Sequence, residues 1–180
     1  MDIALNLTLA IDKLETYFTN YLDTVINSTN GMACFQLSAS ATIPQYQNWT
    51  STGWTTTAAA STPATAGNTQ WIKTVASPVR DEKTMVTLDS NSDIDAQTWK
   101  GGVWSATTEF TAAASTAALR SFDVAYEQLS GEALGVFANA TTQRLTYRVW
   151  NGTEWGPNQM ISIGTAAAIN QIVALRPRPN

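Results

Sequence analysis

The stretch Trp150-Asn151-Gly152-Thr153-Glu154-Trp155 decides how this chain reads. Two tryptophans stand five residues apart, with a turn-forming Asn-Gly pair between them. The same spacing recurs at Trp99 and Trp104 around Gly101-Gly102, and at Trp49 and Trp54 with Gly53 in the gap. From Trp49 to Trp99 is 50 residues, and from Trp99 to Trp150 is 51. A fixed period of this size is the mark of tandem β-units laid side by side.

The likeness extends upstream of each pair. Residues 44–48, 94–98 and 145–149 run into the first tryptophan of each unit. Before them lie 32–37, 83–88 and 133–138, and before those 71–76 and 122–127. Each is a short apolar or β-branched run. Turn residues such as Ser130-Gly131 and the segments 89–92 and 139–142 separate them. Strands joined by tight hairpins give this pattern. A fourth strand starts near each second tryptophan. The low-complexity runs 55–69, 106–117 and 156–168 hold that strand and the crossover to the next unit.

The expected fold is therefore mainly β, with three tandem four-stranded units of propeller-blade type and about 50 residues each. The units span residues 32–69, 70–117 and 118–168 of a Trp-rich repeat domain covering 32–180. A β-trefoil, also three units of four strands, is the alternative.

The two ends are the irregular parts. In residues 1–31, Ile3, Leu5, Leu7, Leu9 and Ile11 alternate as in a strand, while Leu7, Ile11, Leu14, Phe18, Tyr21 and Val25 step as in a helical seam. The seam is longer, so a helix is favoured. However, residues 21–26 fall one period before 71–76, where an opening strand belongs. At the other end, residues 169–175 read as an extra strand, stopped by Pro177 and Pro179. A first unit short of a strand and a spare strand at the C-terminus leave an unpaired edge at each end. Strand exchange between copies repairs both, as a ring or a filament. Leu7, Ile11, Leu14, Phe18, Ile172, Val173 and Leu175 are the assembly candidates.

Composition narrows the function. Net charge is -4 and 13% of residues are charged, so a basic footprint for nucleic acid is missing. No apolar run is long enough to span a bilayer, and Met1-Asp2 lacks the basic start of a signal peptide. The single cysteine, Cys34, falls on an expected strand beside Phe35 and reads as a buried, inert thiol. Glycosylation sequons at Asn6, Asn27, Asn48, Asn139 and Asn151 lean toward an extracellular or cell-surface setting.

Histidine is absent, which removes His-dependent nucleophilic triads and His-based metal sites. Asp123, Glu127, Glu132 and Glu154 are the carboxylates from which a glycosidase pair would be drawn, yet Asp123 and Glu127 stand too far apart along one strand to pair. An enzyme is not expected. Asp89, Asn91, Asp93 and Asp95 offer oxygen ligands at alternate positions, so calcium is a candidate cofactor, although an Asx-rich turn explains them equally well. Trp49, Trp99 and Trp150 are expected between sheets. Trp54, Trp104 and Trp155, past the turn, are the ligand-binding candidates because an indole face stacks on a sugar ring.

The segment 121–155, from Ser121-Phe122-Asp123 to Trp150-Asn151-Gly152 and Trp155, resembles the blade of secreted bacterial Trp-rich propeller proteins. It is also similar, more distantly, to the blades of small fucose-binding propeller lectins. The likeness covers roughly residues 32–175. It implies a propeller and a sugar held between blades by an Arg, a Glu and a Trp. In this chain the Arg position holds Lys73 or Asp123, and the Glu position falls near Gln97 and Arg148. The second tryptophan of each pair matches. The leading expectation is a non-catalytic structural or adhesive surface protein that self-associates through its terminal segments. A lectin-like carbohydrate-binding module is the alternative.

Overall fold

The computed structural model describes residues 22–26, 31–61, 67–140, 144–161 and 172–177, the first segment by its backbone alone. Three antiparallel sheets follow one another along the chain. The first holds β1 (Leu22–Ile26), β2 (Gly31–Phe35) and β3 (Gln45–Thr50), with β4 (Gly53–Trp54) and β5 (Ala58–Ala59) both on the far flank of β3. The second holds β6 (Thr69–Ala76), β7 (Glu82–Asp89) and β8 (Ile94–Lys100), with β9 (Val103–Trp104) and β10 (Thr108–Thr111) beside β8. The third runs β11 (Phe122–Tyr126), β12 (Ala133–Asn139), β13 (Arg144–Trp150) and β14 (Gln159–Met160). The sheets are separate, so the trefoil alternative, which shares one barrel among its units, does not describe this chain.

Within each sheet the order is that of the sequence, as short hairpins dictate. The tryptophan spacing now has a cause. Trp49 lies opposite Trp54 and Trp99 opposite Trp104, and an isolated bridge joins Trp150 to Trp155. A spacing of five is what a tight hairpin needs to bring the two indoles into register. In the second sheet Gly101 and Gly102 take φ of 59° and 88°, the left-handed pair that a twist-matched two-residue turn requires.

Both ends depart from the expectations of a helix at the N-terminus and an extra strand at the C-terminus. Among the described residues there is no helix. Leu22–Ile26 is a strand, and all five residues pair with Gly31–Phe35. The edge of β2 offers backbone groups that need partners, and Thr24, Val25 and Ile26 suit a strand, so pairing overrides the helical seam at Val25. The first sheet therefore has its opening strand. The rest of the seam, Leu7, Ile11, Leu14, Phe18 and Tyr21, lies outside the described residues.

The extra C-terminal strand is not a strand over its described part. Residues 172–177 form no ladder. Val173 N–H donates to Arg120 O at 3.3 Å, and Leu175 N–H donates to Asp123 Oδ2 at 2.8 Å. A side-chain carboxylate thus takes one place that a ladder carbonyl would fill.

The core lies between neighbouring sheets. Met32, Cys34, Ala60, Ile72 and Met85 join the first to the second, with Tyr46, Trp99 and Trp104 packed on their margin. Val86, Leu88, Ile94, Phe110, Phe122, Phe137 and Trp150 are among those joining the second to the third. Each fully buried side chain of this size contributes roughly 1.5–3 kcal/mol. A third cluster joins Val136 and Ala138 to Val173 and Leu175 of the tail. Strand β6 lies beside β1 on one side and β11 on the other, so the first strands of the sheets adjoin. No described helix is long and apolar enough to cross a membrane.

Candidate functional site

The hairpins that carry the tryptophan pairs bring two sheets together around a groove of about 300 Å³. The second sheet supplies Thr98, Lys100, Val103, Trp104 and Ser105, and the third supplies Trp150, Gly152 and Thr153. Each wall is held by its own hydrogen bonds. Thr98 N–H donates to Ser105 Oγ at 3.0 Å, and Ser105 N–H returns to Thr98 O at 2.8 Å. The Asn151 side chain accepts from Thr153 N–H at 2.8 Å and Glu154 N–H at 3.0 Å, which sets the opposite rim. Gly152, at φ 96°, makes that turn possible. Lys100 Nζ spans the mouth to Gly152 O at 3.2 Å.

A buried polar knot lies behind the groove. Trp150 Nε1 donates to Glu82 Oε1 at 3.0 Å, and Arg80 Nη2 meets the same oxygen at 2.7 Å. Glu82 is fully buried. Arg80 also donates from Nη1 to Ser130 O at 3.1 Å and from Nη2 to Gly131 O, so it ties the second sheet to the third. The hydrogen bond to Glu82 pushes the Arg80 guanidinium above its ordinary pKa. Thr98 continues the knot: its hydroxyl pairs with Thr84 at 3.2 Å, and Thr84 pairs with the Tyr126 hydroxyl at 2.9 Å. Burial, first of all, pushes the Tyr126 phenol up.

Of the three ligand-binding candidates, only Trp104 lines this groove. Trp54 packs edge-on against Trp49, with ring centroids 5.3 Å apart. Trp155 packs edge-on against Phe110 at 4.8 Å, on the margin of the core. Trp150, expected between sheets, is buried there and also forms part of the groove wall. Sequence reasoning passed over Lys100, Thr98, Ser105 and Thr153. The available signal was the single cation beside a Gly-Gly turn, at a place where the other hairpins hold Thr50 and Asn151.

The positions implied by the lectin resemblance lie elsewhere. Gln97 is buried and bonds Ser61 twice, accepting its N–H and donating to its O, both at 2.9 Å. Arg148 donates to Asn158 Oδ1 at 2.5 Å and covers the Phe110 ring, and burial pulls its pKa down. Lys73 and Asp123 border a second cavity of about 360 Å³ with Arg120, Leu175 and Arg176.

The segment proposed for calcium is organised around Asp89. Its Oδ1 accepts from Asn91 N–H at 2.8 Å and Asp93 N–H at 3.0 Å, and its Oδ2 accepts from Gly67 N–H at 2.8 Å. Burial is the leading reason its pKa is raised, against the opposing pull of those bonds. Among the described residues no three acidic, Cys or His side chains, Asp95 included, gather as metal ligands do. The Asx-turn reading accounts for this stretch. Of the carboxylates weighed for glycoside hydrolysis, Asp123 is buried and holds the tail. Glu127 Oε2 caps a turn through Leu129 N–H at 2.8 Å and Ser130 N–H at 2.5 Å, bonds that lower its pKa. Glu132 and Glu154 are exposed. In the terminal assembly set, Val173 is buried, Leu175 is half-buried and Ile172 is exposed.

No protein-family model and no curated protein matches the chain. Its shape does match solved propeller structures. A mutant of the Aleuria aurantia lectin in complex with Fucα1-6GlcNAc superposes with a TM-score of 0.53 at 14% identity, over 78% of this chain and 45% of that one. A second Aleuria aurantia structure, a six-bladed propeller described as having a novel fucose recognition mode, gives 0.50 at 14%, over 74% and 40%. A mutant of AofleA from Arthrobotrys oligospora gives 0.53 at 18%, over 81% and 44%. The chain thus spans less than half the length of each of these similar structures. At such identities the likeness is one of fold: three antiparallel sheets arranged as in these propellers.

Proposed function

We propose that this protein is a non-catalytic, lectin-like carbohydrate-binding module of the cell surface or extracellular space, and that sugar binds in the groove between the second and third sheets. The observation that carries this reading is the pairing of two indole walls, Trp104 and Trp150, with the hydroxyl-bearing Thr98, Ser105 and Thr153 at one cleft. An apolar face flanked by a few polar groups is what a sugar ring, apolar on one side and hydroxylated on its edge, requires. The similarity in shape to fucose-binding propellers supports the same class of ligand.

A glycan array probed with the intact chain, read together with tryptophan fluorescence, tests the proposal. Binding to at least one glycan class is expected, with a change in indole emission. Trp104→Ala is expected to remove it, and so is Thr153→Trp, which fills the groove from its exposed rim without touching the core. Silence across the array, or binding unchanged in Thr153→Trp, would overturn the assignment.

Self-association, as a ring or filament, is the second reading. The observation favouring it is the tail itself: Val173 and Leu175 dock beside β11, where a further sheet would begin, and Ile172 stays 70% exposed. Mass measured in solution over a wide concentration range decides it. A strict monomer throughout would end this reading and leave the sugar site standing.

A further inference from the structure

We infer that the groove selects acidic sugars, those bearing a carboxylate such as uronic acids, and that Lys100 is the residue that determines this. The inference rests on the reading of the groove as a sugar site and names its ligand class.

The hydrogen-bonding capacity of the groove is lopsided. Among the described residues Lys100 is the only charged one lining it. Its ammonium has three donors, and Gly152 O takes one. Two backbone acceptors nearby already have partners: Thr98 O accepts from Ser105 N–H, and Ser105 O accepts from the Ser61 hydroxyl at 2.7 Å. The nearest carboxylate in the knot, Glu82, is fully buried behind the Trp150 ring, where Arg80 and the Trp150 N–H share one of its oxygens. No carboxylate therefore lines the groove to receive and orient sugar hydroxyls. A neutral sugar is left with the hydroxyls of Thr98, Ser105 and Thr153 as its side-chain acceptors. A sugar that brings its own carboxylate meets the remaining Lys100 donors directly, and a bond between two charged groups is the stronger kind.

This feature belongs to one junction. In the first hairpin the position of Lys100 holds Thr50, whose hydroxyl is turned back onto Gly53 O at 2.8 Å. In the third it holds Asn151, whose side chain is spent on its own turn. One acidic-sugar site per three sheets is the result among the described residues.

Calorimetric titration of the intact chain with a galacturonate trisaccharide and with neutral trisaccharides, fucosylated ones included, tests the inference. The acidic ligand is expected to bind about two- to fivefold more tightly, the range an exposed ion pair supplies. Lys100→Gln, an exposed change, is expected to erase that preference. Raising the salt is expected to weaken only the acidic ligand. Neutral ligands binding as well as the acidic one, or a preference that survives Lys100→Gln, would overturn the role of Lys100 and leave the sugar site intact. If neither class binds, both readings fall. Acidic binding that persists in Thr153→Trp would place the site outside the groove and overturn the inference.

Discussion

Replacing Arg80 by Met tests the knot behind the groove more sharply than any other change. Glu82 is 0% exposed and Arg80 29% exposed at the side chain, so the pair sits largely out of water. With Arg80 gone, the Glu82 carboxylate keeps one donor, the Trp150 N–H, and its other oxygen already has no partner. An uncompensated buried charge destabilises a fold by about 3–5 kcal/mol, and the partial exposure of Arg80 favours the lower end. The bonds from Arg80 to Ser130 O and Gly131 O are lost as well, which loosens the junction between the second and third sheets. The double change Arg80→Met with Glu82→Met removes the stranded charge; beyond the Ser130 and Gly131 bonds that both variants lose, it leaves the Trp150 N–H without a partner. That residual loss is about 1–3 kcal/mol. The double variant is therefore expected to be more stable than Arg80→Met alone, although it carries an additional mutation. Urea unfolding at neutral pH, followed by circular dichroism and indole fluorescence together, supplies the two free energies. An Arg80→Met protein within about 0.5 kcal/mol of the parent, the scatter typical of surface substitutions, would refute the reasoning. So would a double variant weaker than the single.

Three further outcomes follow from the same geometry. Lys83 is fully buried, with Nζ 4.2 Å from the Trp99 ring centroid and 3.6 Å from the exposed Asp81, and burial pulls its pKa below the ordinary lysine value. The folded state therefore binds fewer protons than the unfolded one between the depressed value and 10.5, and stability rises with pH across that window. Lys83→Met is expected to abolish that rise and to stabilise the protein by about 1 kcal/mol at neutral pH; a steeper rise or a net loss in parallel melts would sink the account. Gly135 on β12 has the Phe110 ring so near that an added Cβ would lie 2.6 Å from Cε2. Gly135→Ala is expected to lose about 1–3 kcal/mol in the same melts, and a neutral result would mean that the ring moves freely. Millimolar calcium is expected to leave the melting midpoint where EDTA leaves it, because Asp89 is committed to three backbone N–H groups; a clear upward shift would restore the metal loop.

The repeat itself was legible without coordinates. Tryptophan pairs at a spacing of five and a period near 50 can only be satisfied by hairpins that recur, and the strands fall where the period placed them. Local chemistry also carried the turns: Gly101, Gly102 and Gly152 adopt the left-handed conformations that few other residues tolerate. The ends were not legible in the same way. Residues 22–26 carry a helical seam and a strand pattern together, and only the open edge of β2 decides between them. The tail was read as an extra strand because periodicity reports which residues are apolar, not which acceptor waits for their N–H groups. That acceptor is the Asp123 carboxylate, 52 residues upstream of Leu175.

The same division holds at the site. From the sequence one learns that three hairpins each present a second indole, and nothing separates Trp54 from Trp104 or Trp155. Packing separates them: Trp54 meets its own hairpin partner, Trp155 meets Phe110 of the preceding sheet, and Trp104 lines the groove beside Lys100. Short-range turn and strand propensities determined the sheets, because they act within a few residues. The groove, the buried Glu82 and the place of Lys100 depend on how one sheet leans on the next. That angle is set by side chains far apart in the chain, and no local pattern encodes it.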